Sequence, residues 1–145
     1  ANNMKREEIG KSVQKLSRKI KRTLDETFLN YGITGVQASI LKFIHKKSQS
    51  QKVYARDIET EFDMRRATIA GTLQLMEQNK LIVRKSEEND CRLKEIILTD
   101  KAKEIIQKLD IAIKEVEKKL TINISKEEIS SFLNTIEKLS KNLEN

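Results

Sequence analysis

The side chains best suited to chemistry in this 145-residue chain are cations and their neighbours. Arg65 and Arg66 open a run in which Ala67, Thr68, Ala70, Gly71 and Gln74 share one side of a helical pattern. Arginine can grip the two acceptors on a guanine edge or a phosphate, and small apolar groups suit a thymine methyl. Further on, Asp90 and Arg92 bracket Cys91, with Lys85 and Lys94 to either side. An aspartate two residues before an arginine can orient the guanidinium by a paired hydrogen bond. It can equally form a solvated turn ion pair worth little. Arg56 can touch a phosphate or pair with Glu59 or Thr60. All of this is binding chemistry. One histidine, His45, and one cysteine make no zinc-ligand set. There is no histidine paired by motif with a nucleophile and no glycine-rich phosphate loop. The reading is therefore not an enzyme, and no cofactor is called for.

Composition narrows the partners. Apolar residues make up 37% of the chain and charged residues 35%, which describes a thin core under a heavily charged surface. No apolar run approaches the roughly 18 residues of a membrane span, and no segment reads as a signal peptide. Ala1-Asn2-Asn3 before Met4 reads as an expression remnant. A single cysteine excludes an internal disulfide and suits a reducing cytoplasm. The net charge of +7 favours anionic partners such as nucleic acid. Its distribution is uneven: residues 1–50 hold eleven Lys/Arg against four Asp/Glu, whereas residues 51–99 hold nine of each. Lys11, Lys15, Arg18, Lys19 and Arg22 form a basic stripe that reads as a solvated face or as an anion-attracting flank.

The elements that must position these groups follow from periodicity. Ile9, Val13, Leu16, Ile20, Leu24 and Phe28 predict an amphipathic helix ending at Asn30-Tyr31-Gly32. Thr34 and Gln37 form a capping box for a second helix. A short third helix carries Ile58 and Phe62. Asp63 is a candidate N-cap for a fourth that buries Ile69, Leu73 and Met76. Two strands flank the polar tip that holds Asp90 and Arg92. A long helix over 100–122 follows. A last helix, opened by the Ser125 and Glu128 capping box, is expected to turn Ile129, Phe132, Leu133, Ile136 and Leu143 inward. A short helix, a turn, a second helix and a hairpin make a winged helix-turn-helix. The fold class is mainly α with a small β-hairpin wing, in a single domain. Residues 34–99 form the winged region, and the helices of 5–30 and 100–144 are left to pair across a dimer.

These residues resemble a known family. "ITGVQASILKFI", "RATIAGTLQLMEQNKLIVRK" and "DCRLKEIILTDKAKE" are similar, in order and spacing, to the MarR-type multiple-antibiotic-resistance regulators. The resemblance implies a homodimer with a winged helix-turn-helix in each subunit, joined through its terminal helices. It implies binding to a near-palindromic double-stranded DNA operator, mostly as a repressor. It further implies release by a small aromatic or anionic inducer, or by cysteine oxidation. Three positions depart from the pattern: Cys91 replaces an arginine after the wing aspartate, Ala102 a glycine, and Tyr54 the polar cap of the third helix. The family's base-contact positions fall on Ala67, Ala70 and Gly71. Gly71 costs about 1 kcal/mol against alanine in a helix interior. Close approach to DNA, tight packing against another helix, and mere tolerance all remain open as its reason. The ligand set is unknown: Val13, Leu16, Ile40 and Ile44, where the family places a pocket, read as plain core. The competing reading is a winged-helix protein-interaction module that does not bind specific DNA, motivated by the zero net charge of residues 51–99.

Overall fold

Thr34 shows how locally the elements are set. Its hydroxyl accepts the Gln37 amide at 3.2 Å, and the Gln37 side chain accepts the Thr34 amide at 3.2 Å. Ser125 and Glu128 do the same at the other end of the chain. Each box satisfies amides that the first turn of a helix leaves without partners. In this computed structural model, which describes residues 8–144, the order is α1 (Ile9–Leu29), α2 (Gly35–Lys47), α3 (Ala55–Glu61), α4 (Arg66–Gln78), β1 (Ile82–Ser86), β2 (Lys94–Leu98), α5 (Asp100–Leu120) and α6 (Lys126–Asn142). The expected succession of helices and hairpin is the one observed. Ala1 to Met4 and the cations Lys5 and Arg6 lie outside the described residues. Gly32 takes the left-handed conformation, at φ 71°, that turns the chain from α1 into α2.

One apolar cluster ties these elements together. Ile40, Leu41 and Ile44 of α2, Ile58 of α3, and Ile69, Leu73 and Met76 of α4 are fully buried. They meet Ile82, Ile96 and Leu98 of the hairpin and Ile105, Ile106 and Leu109 of α5. The two strands are antiparallel, in register from Ile82 opposite Leu98 to Ser86 opposite Lys94. The hairpin stops at Thr99 for a physical reason. Its hydroxyl donates to the Lys80 carbonyl at 2.7 Å and accepts the Ala102 amide at 3.2 Å. One side chain thus closes the sheet and opens α5. Lys101 adds a bond from α5 to the Asn79 carbonyl at the end of α4 (2.8 Å). Ala102, where the family pattern has glycine, is fully buried in the core.

Three expectations need correction. Asp63 does not cap α4: the N-cap is Arg65, and no side chain fills the role. Phe62 and Met64 both pack against the core, and the Met64 amide donates back to the Phe62 carbonyl at 2.6 Å, so the chain turns tightly at Asp63 and the N-cap falls two residues later. α6 fully buries none of its residues, and of the expected inward set only Ile129 and Ile136 are half-buried. Its Phe132, Leu133 and Leu143 are 50%, 61% and 86% exposed. A helical period names a face, not what covers it. The suggested core around α1 divides for the same reason: Ile40 and Ile44 are fully buried, whereas Val13 and Leu16 are exposed. Among the described residues, no helix is long and apolar enough to cross a membrane.

Candidate nucleic-acid interface

α4 is held from behind. Ile69, Leu73 and Met76 point into the core, so Arg66, Ala67, Thr68, Ala70, Gly71 and Gln74 are all exposed, as is Arg65 at the N-cap. No acidic residue stands in its first turn and no side chain caps it. The partial positive charge of that helix end therefore meets solvent. A Cβ added at Gly71 would meet nothing within 4 Å. Packing inside the chain is thus not what requires glycine there, which leaves approach from outside or tolerance. Leu75, 53% exposed beside Gln74, also belongs to this surface. Sequence periodicity passed over it, although an apolar residue outside the Ile69–Leu73–Met76 stripe was the available signal.

The hairpin brings Arg92 to the same side of the molecule. Asp90 Oδ1 accepts the Arg92 amide at 3.0 Å and Arg92 Nε at 3.4 Å. The expected paired bond between carboxylate and guanidinium is not formed. With one residue between them, the tight turn delivers the backbone amide to the carboxylate first, and Nε reaches the same oxygen. The guanidinium stays almost wholly in solvent, with the side chain 95% exposed. Cys91 is exposed beside it.

Strand alternation then sorts the charges. Arg84 lies opposite Ile96, and Lys94 opposite Ser86, on the strand face that turns toward the core; Lys85 lies opposite Glu95 on the other face. A groove of about 290 Å³ runs between α3, α4 and the wing. It is lined by Arg56, Arg66, Arg84, Arg92 and Lys94 against a single acid, Glu59. Behind the wing a second hollow gathers Glu87, Glu88, Asp90 and Glu95 with Lys52 and Lys85. The zero net charge of residues 51–99 is thus a sum over two unlike flanks. Arg56 does not pair with Glu59, which instead meets Arg66 Nε at 3.6 Å. The Arg56 guanidinium lies 5.1 Å from the centre of the Tyr54 ring, and Thr60 donates to its carbonyl rather than meeting its side chain. Arg84 was not singled out by its sequence. Its Nε is buried without a hydrogen bond, and the nearest carboxylate, Glu77, is 3.9 Å away. Period-two alternation from the core residue Ile82 was the signal that could have found it.

Tyr54 explains its own departure from the family pattern. Its amide donates to Asp57 Oδ2 at 2.8 Å, so Asp57 caps the start of α3 from within. The Tyr54 hydroxyl, at the far end of the side chain, donates to Glu87 Oε1 at 2.8 Å, while Lys52 Nζ meets the same carboxylate at 3.2 Å. The Tyr54 hydroxyl first, and then Lys52, hold the Glu87 carboxyl below the usual carboxylate range. In return, Glu87 raises the pKa of both Lys52 and Tyr54.

A helix held from behind, a tight turn before it and a hairpin flanking its exposed end define a winged helix-turn-helix protein. Residues 31–93, which span most of the winged helix-turn-helix, match the model of the MarR family. Solved structures extend the likeness of fold over most of the chain. The transcription regulator MepR of the Staphylococcus aureus multidrug efflux pump MepA superposes with a TM-score of 0.81 at 22% identity, over 95% of this chain and 100% of that one. The transcription regulator MarR of Oenococcus oeni gives 0.68 at 25% identity, over 92% and 99%. MepR in its complex with DNA gives 0.77 at 22% identity, over 94% and 97%.

Proposed function

We propose that this protein is a homodimeric, sequence-specific DNA-binding transcriptional regulator, acting as a repressor on a near-palindromic operator. The observation that carries the reading is the groove in which Arg56, Arg66, Arg84, Arg92 and Lys94 face one acid beside the exposed start of α4. In this reading α4 enters the major groove with its N-terminal end first, and Ala67, Ala70, Gly71 and Gln74 approach base edges. Arg65, Thr68, Arg56 and Lys94 contact phosphates, and Arg92 enters the adjacent minor groove, where narrow A·T tracts concentrate negative potential. Asp90 acts by orienting Arg92. Lys85, on the acidic flank, is the weakest member of the set. The likeness to MepR, crystallised with DNA, supports the same reading.

The exposed apolar faces of α1 and α6 support the dimer, with residues 34–99 as the DNA-binding region and the terminal helices as the interface. Release by a small aromatic or anionic ligand belongs to this reading through the family resemblance, and an open trough between α1 and α5, lined by Thr23, Tyr31, Ala112 and Val116, offers room for one. Such a regulator works in the cytoplasm.

Selection of bound sequences from random duplex DNA, followed by titration of the winner at two salt concentrations, tests the proposal. The expected result is a palindrome with half-sites about one turn, roughly 34 Å, apart, and affinity that falls steeply with salt. Absence of any enriched sequence would move the protein-interaction module ahead.

A further inference from the structure

The bond from Tyr54 to Glu87 joins the helix-turn-helix to the wing. Tyr54 is the N-cap of α3, and Glu87 is the first residue after β1, 33 positions further along. Lys52 Nζ reaches both oxygens of the same carboxylate at 3.2 Å. A hydroxyl donating to a carboxylate is stronger than a bond between neutral groups, and the Glu87 side chain is only 23% exposed. From Glu87 the bonds run on into the tip. Its amide donates to the Leu93 carbonyl at 2.9 Å, the Leu93 amide donates to the Asp90 carbonyl at 3.1 Å, and Asp90 Oδ1 accepts the backbone amide and the Nε–H of Arg92. A two-stranded hairpin is marginally stable on its own, so an anchor at its outer end sets where the tip stands.

We propose that Tyr54 is a positioning residue for the wing: with Lys52 it clamps Glu87 to the start of α3 and so fixes Arg92 relative to α4. The Tyr54 ring also carries the Arg56 guanidinium, so one side chain aligns two cations of the groove. The consequence for DNA rests on the proposed function, whereas the clamp is a property of the free protein.

Tyr54→Phe tests it, because it deletes the hydroxyl and keeps the ring beside Arg56. In the free protein, amide exchange at Glu87, Arg92 and Leu93 rises severalfold while the amides of α4 are unchanged. On the selected duplex, Tyr54→Phe weakens binding about three- to tenfold, the usual range for the net loss of one hydrogen bond. The same substitution in an Arg92→Ala background costs nothing further, since the two groups act as one unit. Glu87→Gln, which keeps the shape and loses the charge, reproduces the pattern. Unchanged amide exchange overturns the clamp. Equal losses with and without Arg92 overturn the positioning role and make the hydroxyl a direct contact or a structural one. If the wild-type protein enriches no duplex, the regulator reading falls, and amide exchange alone decides whether the clamp exists.

Discussion

α4 and α6 are built to the same plan and end in opposite situations. Each is an amphipathic helix with an apolar stripe at helical spacing. α4 sinks its stripe completely, with Ile69, Leu73 and Met76 fully buried. α6 sinks none of its own. The difference teaches that patterning fixes which side of a helix wants cover, while neighbours decide whether the chain itself supplies it. α4 lies between α3 and β1 and has that cover. α6, which follows α5, has only partial cover, as at Ile129 and Ile136.

The largest effect that sharpens this contrast is in the core. Leu73→Ala is expected to destabilise the protein by about 2–5 kcal/mol, as buried leucine truncations do, read from chemical unfolding. Leu133→Asp on the exposed stripe of α6 is expected to leave helix content unchanged and to halve the mass seen by sedimentation. A mass that stays at two chains would remove α6 from the interface, and one that starts at a single chain would remove the dimer.

A second contrast lies within the wing, between its cationic and acidic flanks. Lys94→Ala is expected to reduce the salt dependence of duplex binding by about one unit of slope, the share of one phosphate contact. Lys85→Ala, opposite Glu95, is expected to change it far less. Equal effects would mean that DNA reaches both sides of the hairpin.

The smallest effect is acid sensitivity. The folded state holds the Glu87 carboxyl below its ordinary value of 4.5, chiefly through the Tyr54 hydroxyl and then Lys52. The folded protein therefore binds that proton less readily than the unfolded chain, and stability rises with pH across the interval between the two values. The contribution is whole at neutral pH, begins to fade as pH falls toward 4.5, and is gone below the lowered value. Melting followed from neutral pH into this acid range should show a shallower decline in Tyr54→Phe than in the wild type. Parallel curves would mean that the bond adds nothing to stability.

Much of this was legible in the chain. The two capping boxes, the left-handed turn at Gly32, the stripe of α4 and the polar tip around Asp90 and Arg92 depend on residues within a few positions of one another. Their physics is carried by local spacing. The winged helix-turn-helix built from that succession buries all three apolar residues of α4. The places where expectation failed involve distance along the chain. Asp63 lost the cap because Phe62 and Met64 are drawn to a core built elsewhere. The Arg56 alternative failed because Glu59 belongs to Arg66 on the next helix.

The sequence by itself determined the elements, their order, and which faces are apolar or cationic, because backbone hydrogen bonding and side-chain period act over three or four residues. Only the tertiary structure decided which of those faces are covered. It also sorted a neutral segment into one cationic and one mainly acidic flank, and it brought Tyr54 within hydrogen-bonding distance of Glu87, 33 residues away. These results depend on how separate elements pack, and no local spacing encodes them.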